Sequence, residues 1–181
     1  MVMKHDDFIK KLNDEILSKY DIVCDSLEKG EKESILAFYS PLNNTIHINV
    51  LNKQIFNDYI GFIEAMIHEN VHKINNKKGI QDIYMEGEAQ IHNRAFRDTM
   101  IEFGLYCDDK SFTGGVDFKE SRNKEIFNQL VINKFRDKKA FDELQEIYLK
   151  EFYIETSDRN NKYVDEGKKY VFDDGDDGEE I

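Results

Sequence analysis

Apolar positions along the first 80 residues change period twice. Residues 6–20 place Phe8, Leu12, Ile16 and Tyr20 four apart, with Ile9 and Leu17 beside them. That spacing predicts an amphipathic helix with Asp6 as its N-cap. Residues 33–40 and 45–51 are rich in β-branched and aromatic side chains, and the second run alternates. Between them, Pro41, Leu42, Asn43 and Asn44 supply turn chemistry, so the pattern predicts a β-hairpin. In its second strand Ile46, Ile48 and Val50 share one face and His47 turns to the other.

Helical period returns from about Asp58 to Asn75, with Ile60, Ile63, Ile67, Val71 and Ile74 as the buried stripe. Asn75 to Gly79 then offers residues that tolerate a left-handed C-terminal cap. A further helix is expected from about Glu88 to Phe103, stopped by Gly104. Residues 121–154 read as two helices, one carrying Phe127, Leu130, Val131 and Phe135, the other Phe141, Leu144, Tyr148 and Phe152. A short hairpin is expected over 162–172. Repeats and Pro/Ser-rich linkers are absent, which favours one compact domain with a C-terminal extension.

Charge refines this picture. The 181 residues carry 25 Lys and Arg against 37 Asp and Glu, a formal −12. Six of those acids fall in the last nine residues, Asp173 to Ile181, which read as a disordered, solvating tail. The remaining body carries −6. Lys119 to Lys139 holds seven bases and three acids, the signature of a solvated helix face. No stretch approaches the ~18 apolar residues of a membrane span, and the charged run Met1–Lys11 lacks the apolar region of a signal peptide. Cys24 and Cys107 are too few for a disulfide scaffold or a four-cysteine zinc ribbon. These features lead us to expect a soluble, cytoplasmic protein without a membrane partner.

The chemistry concentrates in His68-Glu69-Asn70-Val71-His72, an H-E-x-x-H sequence inside the 58–75 helix. Four residues are little more than one helical turn, so both imidazoles leave the same face and can meet one metal ion. The apolar stripe buries the opposite side, which leaves the histidine face for a cleft. Glu69 is placed as the general base that takes a proton from metal-bound water. A catalytic zinc takes three protein ligands and keeps one position open. Glu86, Glu88 and His92 are the candidates for the third; a third histidine six residues past His72 is excluded, because Lys78 stands there. Asp82, Glu86 and Glu88 are available to orient the imidazoles, Tyr84 or Tyr106 to steady an oxyanion, and the strand holding His47 to offer its edge to an extended peptide.

Residues 65–105 resemble the SprT-like zinc metalloproteases, especially the branch found in phages and mobile elements. The matching residues are His68, Glu69 and His72, then His92 with Phe96 in an H-x-x-x-F element, then Gly104 and Leu105. Asn75, Gly79 and Asp82 also fall where phage-type members tend to carry Asn, Gly and Asp. The likeness extends loosely over residues 5–118. It implies an α+β, zincin-like domain at 1–118, a small antiparallel sheet packed on the active-site helix. A mostly helical extension at 119–172 and the acidic tail at 173–181 would follow. It also implies one catalytic Zn²⁺ held by His68, His72 and His92, Glu69 as the catalytic residue, and a protein or peptide substrate. Many members end in a zinc ribbon that this chain lacks. The Spartan relatives act on proteins crosslinked to DNA, whereas a body at −6 supports DNA as a partner only through a local basic patch. Two alternatives remain open: a gluzincin of the repressor-cleaving ImmA/IrrE type, with Glu86 or Glu88 as ligand, and a non-catalytic acidic zinc-binding interaction protein. A low-GC bacterium or its phage is the source suggested by the abundant Asn, Lys and Ile.

Overall fold

The computed structural model describes residues 2–103 and 124–156. The expected hairpin at 162–172, the acidic tail, Tyr106 and Cys107 lie outside these residues. The described chain is mixed α+β. Helix α1 (His5–Glu15) is followed by a 3₁₀ turn (Leu17–Tyr20), strands β1 (Ser26–Glu28), β2 (Ala37–Ser40) and β3 (Thr45–Asn49), and helix α2 (Tyr59–Lys77). Then come a hairpin of β4 (Ile83–Glu86) and β5 (Ala89–His92), helix α3 (Arg94–Glu102) and helix α4 (Lys124–Ile147), which closes in one wide turn (Tyr148–Phe152).

The expected hairpin forms as β2 and β3, with Phe38 opposite His47 and Tyr39 opposite Ile46. The sheet is not wholly antiparallel: β1 joins the other side of β3 in parallel, giving the order β1-β3-β2. Three residues are too short a run to show a strand period, which hid β1 from the sequence. The loop from β1 to β2 wraps around Asn49, fully buried, whose Nδ2 donates to Lys32 O and Ile35 O at 2.7 Å each. Its Oδ1 accepts from Gly30 N at 2.8 Å. A Cβ on Gly30 would come within 2.8 Å of that amide, so only glycine fits.

Phe8 and Leu12 of α1, Ile46 and Ile48 of β3, and Phe62, Ile63, Met66, Ile67 and Val71 of α2 form one core. Leu130, Phe141 and Leu144 of α4 and Tyr148 of its closing turn complete it. Along α2 the buried stripe is Phe62, Ile63, Met66, Ile67 and Val71, while Ile60 and Ile74 are only partly covered. Asp58 caps the helix by accepting from Gly61 N at 2.8 Å, and Gly79, at φ +69, ends it as expected.

Three sequence expectations are corrected. Asp6 does not cap α1: the helix starts at His5, whose Nε2 accepts from Leu27 N at 2.9 Å, after Lys4 in extended conformation, so Asp6 lies in the first turn. The helix expected from Glu88 begins only at Arg94, since Gly87, at φ +63, turns the chain into β5. The two helices expected in 121–154 are one from Lys124 to Ile147, as no glycine or proline interrupts it. Its buried face uses Asn133 and Asp137, and Phe135 stays 73% exposed.

Candidate metal centre

His68 and His72 project from the same face of α2, one turn apart, with Nε2 atoms separated by 3.3 Å. His92 ends β5, and its Nε2 lies 3.1 Å from that of His72. Ligand atoms of the three histidines all lie within 4.8 Å of one another. The hairpin makes this meeting: β4 and β5 pair with Ile83 opposite His92 and Glu86 opposite Ala89. Asn93 then caps α3, its Oδ1 accepting from Ala95 N at 2.9 Å and from Phe96 N at 3.3 Å. The cap fixes where the strand stops and the helix starts, and so where His92 stands.

A tetrahedral site with metal–nitrogen bonds of about 2.0–2.1 Å has nitrogen–nitrogen edges of about 3.3–3.4 Å. The observed separations of 3.3 and 3.1 Å fit that figure. The donor set fits as well. His72 Nδ1 is 3.0 Å from Asp82 Oδ2, and a carboxylate only accepts, so the His72 proton sits on Nδ1 and its Nε2 presents a lone pair. A cation among the three nitrogens satisfies such an arrangement. Three nearby histidines are therefore close enough to bind a metal ion.

The surroundings are built for the imidazoles. Phe96 of α3, fully buried, lies under all three, with ring centroids 4.8 Å from His68 and from His72 and 4.2 Å from His92. Tyr39 of β2 stacks on His72 at 6.2 Å and 18°. Phe96 belonged to the sequence motif, but its place under the rings did not follow from it, and Tyr39 carried no sequence signal at all. Of Asp82, Glu86 and Glu88, it is Asp82 whose carboxylate meets an imidazole, that of His72. Burial raises its pKa, but hydrogen bonds from His72 and Asn75 outweigh that and hold it below the usual carboxylate range.

Glu69 sits beside the cluster, its side chain 14% exposed and its Oε1 3.9 Å from His68 Nε2. Burial pushes its carboxyl up to about 8, against a hydrogen bond from the Tyr39 backbone amide and with a small addition from the Asp82 charge. A bound cation acts in the opposite direction, restoring the carboxylate. Glu86 and Glu88 are exposed at the turn end of the hairpin, three residues or about 10 Å along the strand from the Ile83–His92 pair. Tyr84, also exposed, lies one position out of step with His92 and so on the opposite hairpin face.

His47, on the other strand face as expected, is half-buried. Its Nδ1 is 2.5 Å from Ser26 Oγ and its Nε2 2.8 Å from Thr45 Oγ1, so it bridges hydroxyls on the sheet face away from the core. Its strand, β3, is central and has no free edge; beside Glu69 runs β2, whose outer edge no strand among the described residues pairs. No helix among the described residues is long and apolar enough to cross a membrane. Comparison with models of known families, with curated proteins and with solved structures found no match.

Proposed function

We propose that the chain is a SprT-like, zinc-dependent metallopeptidase that hydrolyses peptide bonds of protein substrates. The carrying observation is the convergence of His68, His72 and His92, with the His72 Nε2 atom 3.3 and 3.1 Å from those of His68 and His92 and Glu69 alongside. Zinc held there supplies Lewis acidity: it polarises a carbonyl and lowers the pKa of water toward ~7. Glu69 takes the proton of the attacking water on its carboxylate and returns it to the leaving amine. Its low exposure keeps bulk water from competing for that proton.

The sheet supports a peptide substrate. On one side the β1 segment is sealed by α1: Asn13 donates to Cys24 O at 2.8 Å and accepts from Cys24 N at 2.9 Å, while His5 takes Leu27 N. On the other side β2 runs past Glu69 with its outer edge unpaired by any strand among the described residues. An extended peptide adding to β2 by backbone hydrogen bonds is carried across the histidines. The strand order favours β2, and not the central strand of His47, for such a peptide.

The test is metal analysis together with proteolysis, with and without single- or double-stranded DNA. We expect close to one zinc per chain, and a Glu69→Gln protein that keeps its zinc but loses proteolysis. Full activity in Glu69→Gln would sink the mechanism.

A further inference from the structure

We propose that Thr99, Asn75 and Asp82 form a buried positioning relay that fixes the His72 imidazole for metal, with Thr99 and Asn75 acting through Asp82. The proposal rests on the metal-centre reading. The relay runs across three parts of the fold. Thr99 Oγ1, on α3, lies 2.7 Å from Asn75 Oδ1, in the last turns of α2, and 3.1 Å from Ala95 O. One hydroxyl has one proton, and the shorter contact places it on Asn75. With its oxygen engaged, the Asn75 amide must turn its Nδ2 to Asp82 Oδ2, at 3.0 Å. The same Oδ2 takes the His72 Nδ1 proton at 3.0 Å.

Each step fixes the next because the groups are buried and have little freedom to find other partners. Asn75 is fully buried, and Asp82 and Thr99 each expose 7% of their surface. Two donors on one carboxylate oxygen hold that oxygen in place, and the oxygen holds both the tautomer and the plane of His72. The backbone at Asp82 adds a second function. Its carbonyl accepts from Asn93 N at 2.9 Å, and Gln81 O accepts from Asn93 Nδ2 at 2.8 Å. Asn93 follows His92 directly. The dipeptide 81–82 therefore steers two ligands, His72 through a side chain and His92 through the main chain. The relay ties the metal centre to α3, so a shift of α3 reaches His72 without passing through the core.

A role limited to pinning α2 to α3 makes different predictions. The variants are Thr99→Val, which keeps shape but not the hydroxyl, Thr99→Ser, which keeps the hydroxyl, and Asp82→Ala. Zinc affinity is read by competition with a chromophoric chelator, and the His72 proton position by long-range ¹⁵N–¹H NMR on the metal-free protein. Asp82→Ala should weaken zinc about 10- to 100-fold, the usual effect of losing an outer partner. Thr99→Val, two steps further away, should cost about three- to tenfold and mix the His72 tautomers, and Thr99→Ser should restore both. If Thr99→Val lowers the melting temperature but leaves zinc affinity and the Nδ1–H tautomer as in wild type, the relay is overturned and the contact is structural. If the wild type takes up no zinc, the metal-centre reading fails, and the tautomer measurement still decides the relay.

Discussion

The Nε2 atoms of His92 and His72 stand 3.1 Å apart, although one ends a strand and the other lies in a helix twenty residues earlier. That contact is the reason we propose His92, among the three candidates, as third ligand. Glu86 and Glu88 point to solvent at the far end of the hairpin. His92→Ala should therefore weaken zinc by more than the about 10- to 100-fold typical of an outer partner, with Glu86→Ala and Glu88→Ala close to wild type. Chelator competition on the three variants reads this directly. Retention of tight zinc by His92→Ala, with loss in either glutamate variant, would return the chain to the gluzincins.

The hairpin that delivers His92 turns on Gly87, whose φ of +63 disfavours any side chain and a β-branched one most. No atom would meet a Cβ there, so the cost of substitution is backbone strain alone. Gly87→Val should impose about 1–2 kcal/mol, felt as a several-fold loss of zinc affinity with little change in global melting. Gly87→Asn, which tolerates the left-handed region, should stay near wild type. Equal zinc affinity in all three proteins would show that the turn does not set the ligand.

Much of this site was legible because it is local. The period of Ile63, Ile67 and Val71 and the spacing of His68 and His72 both follow from one helical turn, and α2 carries them as expected. His92 ends a strand and does not lie in the helix expected there. Glu88, Ala89, Gln90 and Ile91 suit a helix by propensity, but Gly87 and the Asn93 cap, acting on either side, leave only a short strand between them. Tyr39 and the Thr99–Asn75 contact depend on how distant segments pack, 33 and 24 residues from their partners. No spacing rule reaches that far. The same limit hid Asp137, which breaks the apolar pattern of α4 because its partners lie on α2 and beside α1.

His47 provides a control within the same fold. Both ring nitrogens are taken by hydroxyls of Ser26 and Thr45, and its ring lies 5.0 Å from that of Phe38. It belongs to the central strand and is absent from the histidine cluster. His47→Ala should lower stability by about 1–2 kcal/mol through the lost hydrogen bonds and packing. Zinc stoichiometry should remain at wild type. A urea titration and a metal analysis on one preparation check both, and loss of zinc without loss of stability would place His47 in the site.

Asp137 allows a pH prediction with a definite sign. Its side chain is 3% exposed and accepts from Tyr59 OH at 2.8 Å, Lys19 Nζ at 2.5 Å and Arg136 Nε at 3.1 Å. Tyr20 extends the network, 2.7 Å from Tyr59 OH and accepting from Asn133 at 3.0 Å. Burial raises the Asp137 pKa, but the hydrogen bonds from Arg136, Lys19 and Tyr59 prevail, so the folded value lies below the unfolded one. A group depressed in this way contributes stability that is fully present above the unfolded value of about 3.9 and is lost as pH falls through the folded one. Lys19 and Arg136 are partly solvated, which screens their share. Asp137→Asn should thus cost about 2–3 kcal/mol at neutral pH. The gap to wild type should narrow as urea titrations move below about pH 4. A gap independent of pH would mean that shape rather than charge holds α4 against α1 and α2.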